Sequence, residues 1–391
     1  MENRSLDHFL GWLPNADGKQ AGLSYADRSG TVHNTFPLAP DFTGCSYPDP
    51  DHSYTGARTE YDNGAMDGFL KVQANTVYPI GYYTEANIPF LAALARNYTT
   101  CDRYFPSILG PTFPNRIFQH AGQTDRLSDS LTISTLPTIW DHLAAQGVSH
   151  GYYFSNVPFV ALWGTKYLGI SHTHSQFLSD CAAGTLPAVS YVDPGFTLVG
   201  NLGTDDHPHS DIRNGDAFLA KTFHAIAQSP NWANTVVVIN FDEWGGFFDH
   251  IVPPRALAPN NVDPDLVNGK ALLGIRVPCI VASPWTRGNP LNPRVNSTVF
   301  DHTSVLKLIE WNWNVPPLAA RETSSDVGNI VDVLDLSNPR VDVPSLPNPS
   351  YVIPSSFCSS NPLASSASVG LEPSGFAGML SSGMLKGFPG F

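Results

Sequence analysis

Several things are scarce in this chain. Charged residues make up only 14% of its 391 residues, and acids outnumber lysine and arginine 34 to 21. No basic stripe interrupts that excess, which excludes a nucleic-acid partner held through its phosphates. The net charge of −13 still admits a phosphate substrate, provided that local cations or a metal overcome the general field. The five cysteines, at 45, 101, 181, 279 and 358, form no CxxC pair, which argues against a thiolate zinc site. They leave room for one or two disulfides and an odd thiol, and Cys279, inside an apolar run, reads as a buried free residue. No stretch approaches about 18 uninterrupted apolar residues, so no membrane span is expected. No signal peptide and no internal repeat is visible.

Glycine and proline are abundant, at 32 and 34 residues, so connections are many and long. A hydrophobic fraction of 42% supplies a core. Helical spacing runs from Ile88 to Tyr98, from Pro137 to Gln146 with Gly147 as its stop, and from Gly215 to Gln228. Another helix spans Asp301 to Trp311, with Asp301 as its cap. Strands are read at Val148–Phe154, Ala188–Val192, before Asp242, and at Ile275–Ala282. Helix and strand in alternation predict an α/β fold with a largely parallel sheet. Residues 1–346 are expected to form one domain. The Ser/Gly/Pro-rich tail, 347–391, is expected to wrap the surface or stay disordered. The first eighty residues are loop-rich, which suits a site or a lid.

The most informative stretch is VVVINFDEWGGFFDH, Val236 to His250. A buried strand ends in two adjacent acids, Asp242 and Glu243, and Gly245 and Gly246 then open the backbone. Neighbouring carboxylates repel, and a bound divalent metal is the economical remedy. An ordinary acidic turn is the plainer alternative. At the N-terminus, Glu2 and Asn3 offer oxygens to a hard cation and Arg4 offers a fork for an anion, or the segment is simply a solvated end. In GPTFPNR, Thr112 stands where a helix begins. A hydroxyl there suits a nucleophile attacking phosphorus, or an N-cap. His52 in DPDHS, and His207 and His209 in DDHPHSD, lie in acid-rich loops. There an imidazole serves as acid, base or phosphate donor, or is merely a surface residue.

In family order, ENRSLDHFLG, GPTFPNR, DDHPHSD, DEWGGFFDH, GIRVPCIVASP and DHTSVLKLIEW resemble the phosphoesterase family of bacterial phospholipases C, plant non-specific phospholipases C and related acid phosphatases. The resemblance runs from Met1 to about Trp313. It implies an alkaline-phosphatase-like, mostly parallel sheet sandwiched by helices, with long loops forming a cap. It also implies a metal-dependent phosphoester hydrolase acting on phospholipid head groups or small phosphoesters, in a secreted or periplasmic location. Carried over by position, Glu2, Asn3, Asp242 and Glu243 hold one divalent ion, which oxygen ligands alone leave open among Ca, Mg, Mn and Zn. Thr112 is the nucleophile of a phospho-enzyme, and His52 and His207 contact phosphoryl oxygens or protonate the leaving group. Asn3, Asn115 and His209 are expected to meet substrate, and Arg116 to pair with an acid. Asp249, His250, Asp301 and His302 take supporting roles.

Two departures stand out. Relatives usually carry an apolar strand just before ENRS, often behind a secretion signal, whereas this sequence starts at Met1. A looser anchor on Glu2 and an exposed sheet edge are the expected consequences. Trp244 stands where many relatives have His. Acid phosphatase activity on soluble monoesters, or a truncated relative acting as a binding protein, are the alternatives. A sulfatase-like site is disfavoured, because no cysteine stands in a CxPxR context and Thr112 occupies the turn instead.

Overall fold

The computed structural model describes residues 1–74, 76–198, 202–353, 358 and 375–391. Its main sheet has four strands, in spatial order Val237–Asn240, Cys279–Ala282, Thr99–Cys101 and Arg294–Asn296. The first two pairings are antiparallel, with Val238 opposite Val281 and Ile280 opposite Thr100, and the third is parallel. A second sheet centres on His150–Phe154, flanked in parallel by Ser171–Thr173 and Val189–Val192. The α/β class is as expected, but the main sheet is mixed rather than mostly parallel. The cause lies between Asn240 and Cys279. No helix forms there, only a small antiparallel sheet of Arg255–Leu257, Leu266–Val267 and Lys270–Leu272. Without a crossover helix the chain returns in the opposite direction.

The expected helices are present, at Pro89–Asn97, Ile139–Ala145, Ile212–Ala227 and His302–Trp313, the last capped by Asp301. Leu91, Leu94 and Ala95 from the first, and Leu219, Phe223 and Ile226 from the third, join Ile239, Ile280 and Val281 in one core. A second core gathers Phe113, Ile117, Trp140, Tyr152 and Phe159. The helix that begins at Thr112 packs there.

Part of the tail differs from expectation. Gly375–Ser382 is helical, and Phe376, Met379, Leu385 and Phe388 are buried in the second core. Phe376 stacks on Phe196 at 3.7 Å between ring centres. Apolar residues spaced along a Gly/Ser-rich segment are enough to dock it once aromatic partners are present. Of the rest of the tail, 354–357 and 359–374 lie outside the described residues. Cys45 and Cys358 form a disulfide, and Cys101, Cys181 and Cys279 are buried and unpaired.

Candidate active site

The segment Met1–Arg4 lies alongside the end of the Val237–Asn240 strand. The Met1 ammonium donates to Asn240 O at 3.2 Å, and Asp242 N donates to Met1 O at 3.1 Å. Asn3 N then donates to Asp242 Oδ1 at 3.2 Å, and Arg4 N to Glu243 O at 3.1 Å. Glu2 N is tied to Asp205 O at 2.7 Å. Glu2 is therefore firmly held, contrary to the looser anchor expected. Asn3 adopts φ +56°, a left-handed backbone that asparagine tolerates.

Two glycines make this approach possible. At Gly245, φ +67°, an added Cβ would meet Asn3 O at 2.2 Å; at Gly246, φ +73°, it would meet Pro50 Cβ at 2.6 Å. One glycine admits the N-terminal segment and the other admits the loop that carries Asp49 and His52.

Arg116 organises one half of the corner. Its Nε donates to Glu2 Oε1 at 2.7 Å and to Asp242 Oδ2 at 3.1 Å, and its Nη1 donates to Asp193 Oδ1 at 2.8 Å. Tyr152 OH also donates to Asp193. The pairing of Arg116 with acid is as expected; that it serves three carboxylates was not. Burial raises the Glu2 carboxyl well above its usual range, with Arg116 pulling the other way. His302 Nε2 donates to Asp242 O at 2.7 Å, and burial lowers this imidazole to about 4, so it is a neutral anchor for the acid doublet.

The other half holds unpaired oxygens. Glu243 Oε2 accepts from Gly245 N at 2.6 Å, but Glu243 Oε1, Asn3 Oδ1 and Asp49 Oδ1 are buried without a hydrogen-bond partner. His52 Nε2 lies 3.2 Å from Asn3 Nδ2 and 3.8 Å from Glu243 Oε1, while its Nδ1 donates to Pro50 O at 2.8 Å. Burial opposes the charged ring, yet Glu243 and Asp49 outweigh it and push His52 up to about 10. The Asn3 amide pulls the other way, because a neutral Nε2 accepts from it. A ring poised between two states suits proton transfer. His207 faces His52 edge-on at 6.0 Å, with its Nε2 3.8 Å from Asp49 Oδ2.

Thr112 is the first residue of the helix Thr112–Ala121, one turn before Arg116, and is 4% exposed. The following amide, Phe113 N, donates to Asp129 Oδ1 at 2.7 Å. Asp129 in turn lies within electrostatic reach of His52, His207 and Asp242, and Arg116 of the same helix bonds Asp242, so the start of the helix lies near this corner.

Two expected substrate contacts take holding roles instead. Asn115 Oδ1 accepts from Ile108 N, and its Nδ2 donates to Ile108 O, Gly110 O and Pro111 O, which spends the side chain on bracing the turn before Thr112. His209 Nε2 is 2.9 Å from Tyr47 O and joins two loops. Trp244 is buried and donates to Glu60 Oε2 at 2.7 Å. Asp49, Asp129 and Asp193 were not singled out from sequence. Asp49 had a signal, the acid-rich PDPDHS loop; Asp129 and Asp193 had none.

For a divalent cation the donor set fits in part. Asn3 and Glu243 keep free oxygens of the hard type such an ion takes, whereas Glu2 and Asp242 already share Arg116. Asp49, His52 and His207 offer ligand atoms within 4.8 Å of one another.

The phosphoesterase family model matches residues 1–316. Non-specific phospholipase C6 of Arabidopsis thaliana is 30% identical over 384 residues, covering 88% of this chain and 72% of that protein. Phospholipase C B of Mycobacterium tuberculosis is 30% identical over 421 residues, covering 89% and 77%. Among solved structures, a member of the alkaline phosphatase superfamily from Vibrio parahaemolyticus is a distant likeness, at 13% identity and a TM-score of 0.36 over 64% of each chain.

Proposed function

Because this chain belongs to the phosphoesterase family and is a hydrolase of phosphoester bonds, we propose that it cleaves phosphodiester head groups from phospholipids, with Thr112 as nucleophile. One observation supports this reading most: the Met1–Arg4 segment, the Asp242–Glu243 doublet, His52 and the start of the Thr112 helix converge on one corner with unpaired oxygens.

The residues divide the work. Asn115 fixes the turn so that the Thr112 hydroxyl is presented at the positive end of its helix. Arg116 ties Glu2, Asp193 and Asp242 into a rigid wall. One guanidinium against three carboxylates leaves that wall net negative, which favours a further cation. A divalent ion held by Asn3 and Glu243, beside Asp242, would lower the hydroxyl pKa and offset phosphoryl charge. Thr112 Oγ attacks phosphorus as the bond to the leaving alcohol breaks. His52 or His207 supplies that alcohol's proton. Water then attacks the phosphothreonine and regenerates the hydroxyl.

The test is Thr112→Ala, assayed on p-nitrophenylphosphorylcholine. A loss of about 10³-fold or more is expected, with the unfolding curve unchanged because the side chain makes no hydrogen bond that the fold depends on. Turnover near the wild-type rate would remove Thr112 from the mechanism. Prior dialysis against a chelator should suppress activity, and one added divalent ion should restore it.

A further inference from the structure

The helix that presents Thr112 begins without a cap of its own. Pro111 precedes it and offers no side-chain acceptor. The acceptor comes instead from Asp129, whose Oδ1 takes the Phe113 N–H at 2.7 Å. A carboxylate from a separate loop thus sits on the amide next to the nucleophile. Helix N-termini bind anions, and the proton that this amide would offer to an oxygen of the phosphoryl group under attack is held by Asp129.

The surroundings give this charge its meaning. His52 and His207, from the loops at 49–52 and 205–209, and Asp242, from the strand end, lie within electrostatic reach of Asp129. Glu243 lies next to His52 on the same side, and Asp49 lies between the two histidines. The corner therefore sets four carboxyl groups, Asp49, Asp129, Asp242 and Glu243, against two imidazoles. A phosphomonoester brings about 1.5 to 2 negative charges near neutral pH, whereas a phosphodiester has no second ionisable oxygen and brings about one. Each added charge meets the same fixed carboxylate.

Resting on the hydrolase reading above, we infer that Asp129 is a specificity-determining residue: its carboxylate, seated on the amide beside Thr112, disfavours dianionic phosphomonoesters and so selects phosphodiesters. Catalysis does not require this charge, and a cap without it would hold the helix equally well. The residue is thus a filter applied at the nucleophile.

Asp129→Asn separates the two roles, because the amide oxygen can still accept from Phe113 N while the charge is gone. Wild type and variant are compared on p-nitrophenyl phosphate and p-nitrophenylphosphorylcholine. The ratio of monoester to diester kcat/KM should rise about tenfold or more in the variant, chiefly through a lower KM for the monoester. Inorganic phosphate, measured by calorimetry at a pH where it is mainly dianionic, should bind the variant correspondingly more tightly. An unchanged ratio with unchanged phosphate affinity would reduce Asp129 to a helix cap and overturn the inference. Asp129→Ala serves as the control for capping, and should lower thermal stability where Asp129→Asn does not. If neither protein hydrolyses either ester, the hydrolase reading is what fails, and the phosphate titration still decides the role of Asp129.

Discussion

Asp249 and His250, at the far end of DEWGGFFDH, sit in a cluster of nearly the same composition as the one around Glu243. Asp7, Asp249 and His250 offer ligand atoms within 4.8 Å, as Asp49, His52 and His207 do. The two differ in what their oxygens already hold. Asp249 Oδ1 accepts from Arg276 Nε and Ile251 N, both at 2.9 Å, and Oδ2 accepts from Asp7 N and Arg276 Nη2, both at 3.2 Å. Asp7 accepts from Lys19 N, Arg276, and both nitrogens His250 N and Nδ1. Every carboxylate oxygen there is occupied. Around Glu243, three oxygens are not. The same residue types thus make a clamp in one place and a receptive corner in the other, and the count of unpaired acceptors separates them better than composition does.

Substitutions that cut each cluster should have opposite effects. Asp249→Ala removes one of the two carboxylates paired with the buried Arg276 guanidinium and leaves the Asp7 and Ile251 amides without their acceptor, so unfolding free energy should drop by about 3–5 kcal/mol, read from denaturant melts. Glu243→Gln should do the reverse. Burial already pushes the Glu243 carboxyl up, so the neutral amide costs the fold little, while diester turnover should fall about 10²-fold or more. A large stability loss in Glu243→Gln with activity retained would make the two clusters equivalent and remove the distinction.

The sequence makes the ends of this site legible and hides its middle. ENRS, GPTFPNR and DEWGG are dense in chemistry, and their residues meet as expected at Asn3, Arg116, Asp242 and Glu243. Helix starts were readable from caps, as at Asp301, whose side chain accepts from Thr303 N. Strand direction was not, because a run such as Cys279–Ala282 carries no mark of the way it points. The central strand Thr99–Cys101 was missed because its pattern is polar. It is buried nonetheless, since Thr99 Oγ1 donates to Thr286 O at 3.1 Å. Asp129 and Asp193 were invisible for a related reason: each acts through a partner distant in sequence, Phe113 in one case and Arg116 in the other.

A third acid pair sharpens the rule by limiting it. Glu310 and Glu322 are buried, and each also leaves its Oε1 unpaired, yet among the described residues no imidazole or guanidinium pairs with them. Here the missing partner is a proton. Burial and the neighbouring Glu322 push Glu310 up to about 8, and burial with Asp301 pushes Glu322 up to about 7, against the opposing pull of Lys307 on both. The location explains the preference for the neutral form, since a Cβ at Gly122, which ends the Thr112 helix, would lie 2.3 Å from Glu322 Oε1. A carboxylate at a helix C-terminus opposes the macrodipole, whereas Asp129 at the other end complements it. Both glutamates hold their proton more tightly folded than unfolded. Their contribution is complete below the unfolded value of 4.5 and is lost as pH rises towards 7 and 8. Stability should therefore decline between those limits, by about 1.4 kcal/mol per pH unit for each glutamate. Glu310→Gln should flatten that slope, with diester turnover at fixed pH unchanged. A pH–stability profile identical in wild type and variant would show that these unpaired oxygens hold something other than a proton, and would return the pair to the same class as Glu243.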